Sequence, residues 1–223
     1  MQVASIVKAR AVALVEVDEL NRDGTVRFAD IVAPLVKKFQ FLTYPTKPEE
    51  FDTNNGIKFT SGKSGHHVID LLDIYGGLIV LETLSNTTDS KDVLEGMLRW
   101  GKDNLGLTYE DDTIRRWAYI SQIAFYSVIP LLSALSPPLQ NLARKTSSVV
   151  DGLFEEGLDY QVAKVIVGHD PLTRMSPIAS FTIEHRIARR FADNKFFSEA
   201  PLPTDLHIKL LQELEEDATN HSK

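Results

Sequence analysis

Residues 56–84 read GIKFTSGKSGHHVIDLLDIYGGLIVLETL, and how this stretch is parsed decides the fold. Gly62-Lys63-Ser64 is the ending of a phosphate-binding loop, which would imply a nucleotide. That loop requires Gly, four residues, then Gly-Lys-Ser/Thr, between a buried strand and a helix. Here Gly56 and Gly62 enclose five residues, and EEFDTNN, which precedes Gly56, is polar. The segment after Ser64 alternates and turns at Gly76-Gly77, which is hairpin chemistry. The stretch therefore predicts an antiparallel meander, with strands at 57–61, 66–75 and 78–84.

Upstream, ARAVALVEV (9–17) is valine-rich and alternating, and predicts a strand. In 27–39, Phe28, Ile31, Val32, Leu35, Val36 and Phe39 recur at helical spacing. Pro34 fits that helix only if it begins close to Asp30. A short strand at 39–44 follows, then a polar loop at 45–55. Downstream, 86–106 predicts a helix capped by Thr87 or Thr88 and stopped at Gly106. Val93, Met97 and Trp100 or Gly101 form its inner stripe.

Residues 117–143 carry no charge. They predict a long buried strand to about Val128, a bend at Pro130, and a helix over 139–157 with Leu139, Leu142, Ala143, Thr146, Val149, Val150, Leu153 and Phe154 inward. Read instead as a membrane span, 117–135 is interrupted by Ser121, Gln122, Ser127, Pro130 and Ser133. Further strands are expected at 159–168 and 178–187, an extended irregular arm at 188–204, and an amphipathic helix at 205–217 whose acidic end should fray. The sum is an α+β fold, a mainly antiparallel sheet with about four packed helices. A single domain is expected, with 1–50 a possible small N-terminal lobe and 196–217 a C-terminal arm and helix.

The chain has 223 residues, 43% hydrophobic and 25% charged, which suits a packed globular protein rather than a disordered one. No cysteine is present. Disulfides, thiolate metal sites and cysteine nucleophiles are thereby removed, and a reducing, cytoplasmic location fits. The net charge of −7 disfavours nucleic acid and anionic membrane surfaces as partners. The first residues do not make a signal peptide, because Glu16 and Asp18 follow a short apolar run.

Candidate chemistry is sparse. His66 and Asp70 are metal-ligand types, with His67, Asp73 and Glu82 nearby, but strand alternation splits them between two faces. A two-residue turn at Gly76-Gly77 would set Asp73 opposite Val80 and Glu82 opposite Leu71. His169 and His185 are candidate acid/base groups at strand ends. Arg174, Arg186, Arg189 and Arg190 could clamp an anion, or pair with the chain's surplus acids. No Gly-x-Ser-x-Gly occurs, and no cofactor motif.

Two functional expectations stand beside each other. One is a soluble intracellular binding or structural module that assembles with itself or another protein, using Phe196, Phe197, Leu202, Leu206, Leu210, Leu211 and Leu214. The other is an enzyme acting on an anionic, phosphorylated small molecule held by the arginines. A membrane-associated subunit through 117–135 is a third.

Overall fold

The computed structural model describes residues 1–110, 112–154, 157–170, 172 and 178–221. Among the described residues it is an α+β fold of eight antiparallel strands and five helices. The chain divides into two compact units. One, here the first unit, comprises residues 8–121 with 202–204; the second unit comprises 1–7, 122–201 and 205–223. Strands β1 (Gln2–Leu14) and β5 (Arg116–Tyr126) are long enough to contribute residues to both.

In the first unit the strand order is β2 (Ile57–Ser64), β3 (His67–Tyr75), β4 (Leu78–Thr83), β1. The expected meander is present, but its first strand runs through 62–64, where the sequence predicts a turn over 62–65. Its second hairpin pairs Asp73 with Val80 and Leu71 with Glu82, the register that the Gly76-Gly77 turn implies. Gly62, Lys63 and Ser64 continue β2 and pair with Ile69, Val68 and His67. They are therefore rungs of a hairpin ladder, and the Phe41 ring fills the space where a side chain at position 62 would stand.

One face of this sheet is covered by α1 (Phe28–Phe39) and α2 (Thr87–Leu105). Ala9, Ala11 and Ala13 of β1 are wholly buried. Their small side chains let α2 come close, and the Ser90 hydroxyl donates to the Ala9 carbonyl at 2.8 Å. α1 buries Ile31, Val32, Leu35 and Phe39. α2 buries Val93, Leu94, Met97, Leu98 and Gly101. Its cap is Asn86 rather than a threonine, accepting from the Thr88 amide at 2.8 Å. Thr87 is instead bonded to Thr204, each hydroxyl accepting the other's amide at 3.1 and 2.8 Å.

In the second unit the order is β5, β8 (Lys195–Ala200), β7 (Phe181–His185), β6 (Lys164–Val167). Ile123 and Phe125 of β5 join Phe196, Ile183, Leu131, Leu132 and Leu211 in its core. The remaining helices are α3 (Leu131–Ala134), α4 (Pro137–Phe154) and α5 (Thr204–His221).

Several sequence expectations are corrected. β1 starts at Gln2 and ends at Leu14; the chain from Val17 tightens into a 3-10 turn. α1 begins two residues before Asp30, so Pro34 stands inside it. The strand expected at 39–44 reduces to one bridge, Thr43 to Thr60, because the helix runs through Phe39 and ends with Gln40 in the left-handed region. β3 carries a bulge at Asp70, since Ile69 pairs with Thr83 but Leu71 with Glu82. A bulge reverses the alternation. Ile69 upstream and Leu72 and Ile74 downstream all face the core, whereas Val68 is exposed. The expected irregular arm contains β8, whose inward row Phe196, Ser198, Ala200 is fully buried. α5 extends to His221, beyond the expected end at 217. Residues 117–135 are split between β5 and α3, and among the described residues no helix is long and apolar enough to cross a membrane.

Candidate functional site

The largest departure from expectation lies on α4 in the second unit. Its sequence predicts an inward apolar stripe, yet the helix has no buried residue. Leu139, Leu142, Val149, Leu153 and Phe154 are exposed, with Leu153 and Phe154 at 68% and 65%. Of the expected inward set only Ala143, Thr146 and Val150 are half-buried, and beside them the Ser147 hydroxyl accepts the Tyr160 amide at 2.8 Å. Leu139, Leu142, Thr146, Val149 and Leu153 are spaced three, four, three and four residues apart. That 3.5-residue average is the seam of a helix that packs on another helix.

The same unit exposes further apolar residues. Among the described residues β6 ends the strand order, and it shows Ile166 and Val167 to solvent. An edge strand with unpaired backbone groups and apolar side chains is a template for pairing.

α5 was expected to present leucines to a partner. Leu206 and Leu210 are indeed exposed, but Phe196 and Leu211 are completely buried in the second unit's core. Phe197 lies on the opposite side of β8 from Phe196, under the Arg186 guanidinium at 5.6 Å. Leu202, Leu214 and Phe197 are half-buried. The buried row of α5 is Thr204, His207, Leu211, Glu215 and Ala218, rotated toward polar residues. Each buried polar group has its reason. Ser198 Oγ donates its one proton to the Thr182 carbonyl at 2.7 Å, so His207 Nε2–H donates to Ser198 Oγ at 2.8 Å. Burial lowers the His207 pKa to about 4, holding the ring neutral. Burial pushes the Glu215 carboxyl up. The Met1 α-ammonium, the Ser127 hydroxyl and the Val128 amide outweigh that and leave it below its ordinary value. Sequence reasoning missed this row because a helix is ordinarily aligned by its leucines.

Arg186, Arg189 and Arg190 are exposed in the turn between β7 and β8. The Arg186 amide is bound to the Lys195 carbonyl at 2.9 Å, and the Arg189 amide to the Arg186 carbonyl at 3.2 Å. Arg174 lies outside the described residues. His185, next to this turn, is wedged between the Phe191 and Phe196 rings, with centroids at 4.2 and 4.6 Å. Its Nδ1 is buried with no hydrogen-bond partner, and burial lowers its pKa. His169 is exposed, beside an Asx turn in which the Leu172 amide donates to Asp170 Oδ1 at 2.8 Å.

The metal-ligand types of the first unit also separate. His66 and His67 stack at the β2–β3 turn, with centroids 4.1 Å apart, and His67 Nδ1 lies 3.7 Å from Asp89. Asp70 is exposed on its bulge. Asp73 and Glu82 are buried on the sheet face away from α1 and α2. Glu82 is paired with Arg10 and Lys8, and Asp73 accepts from the Tyr75 hydroxyl at 2.8 Å. Among the described residues no three His, Asp or Glu side chains gather as a metal site would require.

Compared with protein-family models, the chain matches none, and comparison with curated proteins finds no match.

Proposed function

We propose that the protein is a soluble intracellular structural module that assembles with a second copy of itself through the second unit. The observation that carries this reading is α4: an 18-residue helix with a heptad-spaced apolar seam and no buried residue. Exposed leucines at this spacing gain little from water and are buried by a facing helix. A copy of α4 offers the same seam in return, which a twofold interface requires. The exposed edge of β6, also in the second unit, offers a second place for a copy to pair. Leu206 and Leu210, exposed on α5, are candidates for the same surface.

The test is sedimentation equilibrium over a range of concentrations, on the wild type and on Leu142→Lys/Val149→Glu. Both positions are about 60% exposed, so the substitutions leave the fold intact. A dimer that becomes a monomer supports the proposal. A wild type that stays monomeric at high micromolar concentration defeats it. A different protein that co-purifies with the wild type and is lost from the variant replaces the second copy as the occupant.

A further inference from the structure

Within the first unit, between α1, α2 and the covered face of the sheet, lies a partly open cavity of about 90 Å³. Ile31 and Leu35 of α1, Leu94, Met97 and Leu98 of α2, and Ile79 of β4 form its depth. Val26 and Phe28, both half-buried, stand at its rim. Its lining side chains with polar atoms are Asp18, Asn21 and the half-buried Trp100, through its indole N–H. The Asn21 amide is already committed: Nδ2 donates to the Val26 carbonyl at 2.7 Å and Oδ1 accepts the Val26 amide at 3.0 Å. Asp18 is exposed at the surface end of the cavity.

A buried water needs two to four polar partners, and the side chains that form the depth of this cavity offer none. Its walls instead forgo dispersion contacts that an apolar guest would restore. An engineered cavity of about 150 Å³ with similar walls stays dry and takes up benzene. The present cavity is smaller, so a guest is at most one ring and would have to use the open mouth or a shift of its walls to fit. Met97, flexible and polarizable, is the wall best able to adjust around it. Asp18 at the mouth disfavours an anionic end group by like-charge repulsion. Concave, mostly apolar sites with few polar groups are how proteins hold small molecules.

We propose that this cavity is a binding site for a small uncharged molecule built on a single aromatic ring or a hydrocarbon of similar size. The site belongs to the first unit and is independent of the assembly surface on α4.

Trp100 lines the cavity, and the chain's other tryptophan is Trp117. Trp117→Phe therefore leaves Trp100 as the sole fluorescent reporter. The probe is benzene, with benzoate as the charged counterpart. Benzene at about tenfold above its Kd should raise Tm by roughly 3–5 °C. It should also change Trp100 emission saturably, with benzoate much weaker in both readouts. Leu35→Phe, which fills the space, should melt cooperatively and lose both responses. Ile79→Phe does the same from the sheet side should Leu35→Phe fail to fold. No saturable benzene effect on the wild type, or an effect that persists in a folded, filled variant, overturns the proposal.

Discussion

His207 provides the sharpest test of the buried row of α5. Its ring is fully buried, its Nε2–H is given to Ser198, and the Phe181 ring stands edge-on to it at 5.0 Å. Its pKa falls from 6.5 in the unfolded chain to about 4 in the fold, because burial penalises the imidazolium. Below pH 6.5 the unfolded chain binds a proton that the folded chain refuses, so acidification favours unfolding. The loss accumulates from pH 6.5 down to about 4 and then levels off, since both states are protonated. At 1.36 kcal/mol per unit, this residue alone removes about 3 kcal/mol between pH 7 and pH 4. The comparison is with His207→Gln, whose amide can still donate to Ser198 but does not titrate. Urea unfolding of both proteins at half-unit pH intervals gives the two stability profiles. The wild type should lose about 3 kcal/mol more than the variant over this range. His185, also lowered by burial, and Glu215, held low at the acid end, slope the same way in both proteins and cancel in the difference. Parallel profiles would refute the account of a neutral, buried, donating imidazole.

Three further outcomes follow from the packing. Gly56 has φ +84°, and a Cβ there would stand 2.4 Å from Asp73 Oδ1 and 2.8 Å from the Tyr75 ring; Gly65 has φ +59° and open space. Gly65→Ala should cost about 1 kcal/mol of left-handed strain. Gly56→Ala should cost about 3, because the Tyr75–Asp73 hydrogen bond is displaced as well, and equal urea midpoints would argue against that contact. Arg10→Met should cost about 2 kcal/mol, because the buried Glu82 keeps only Lys8 at 3.4 Å as a partner, whereas Arg10→Met/Glu82→Leu should recover most of that loss in the same denaturation assay. Leu211→Ala should cost about 2–5 kcal/mol and Leu206→Ala less than about 1, as calorimetry on the two variants would show.

The meander was legible because hairpins are local: Gly76-Gly77 fixes the turn, and a two-residue turn fixes which residues face each other. Helices α1 and α2 were legible for the same reason, since their apolar spacing and Gly106 lie within the helices or beside them; the start of α1, at Phe28 and ahead of Asp30, was not. The bulge at Asp70 left no such mark, because it only becomes a bulge when Ile69 and Leu71 meet Thr83 and Glu82 across a strand. β8 was read as an arm because of Pro201 and Pro203, although its inward row Phe196, Ser198, Ala200 alternates; the signal was present but its serine and alanine are weak apolar markers.

The chain by itself determined the α+β class, the antiparallel hairpins, the failure of the phosphate loop and the absence of thiol chemistry. Those follow from residue identity and short-range spacing. Tertiary structure alone decided which apolar faces are satisfied. Periodicity says that α4 and α5 each own a leucine stripe, but not what that stripe meets. α5 turned its His207–Glu215 side inward because Ser198, Thr182, Ser127 and the Met1 ammonium were there to meet it. α4 rests on Ser147 and Ala143, and its leucines face outward. Burial is a property of pairs of surfaces distant in sequence, and one surface's pattern does not encode the other's position.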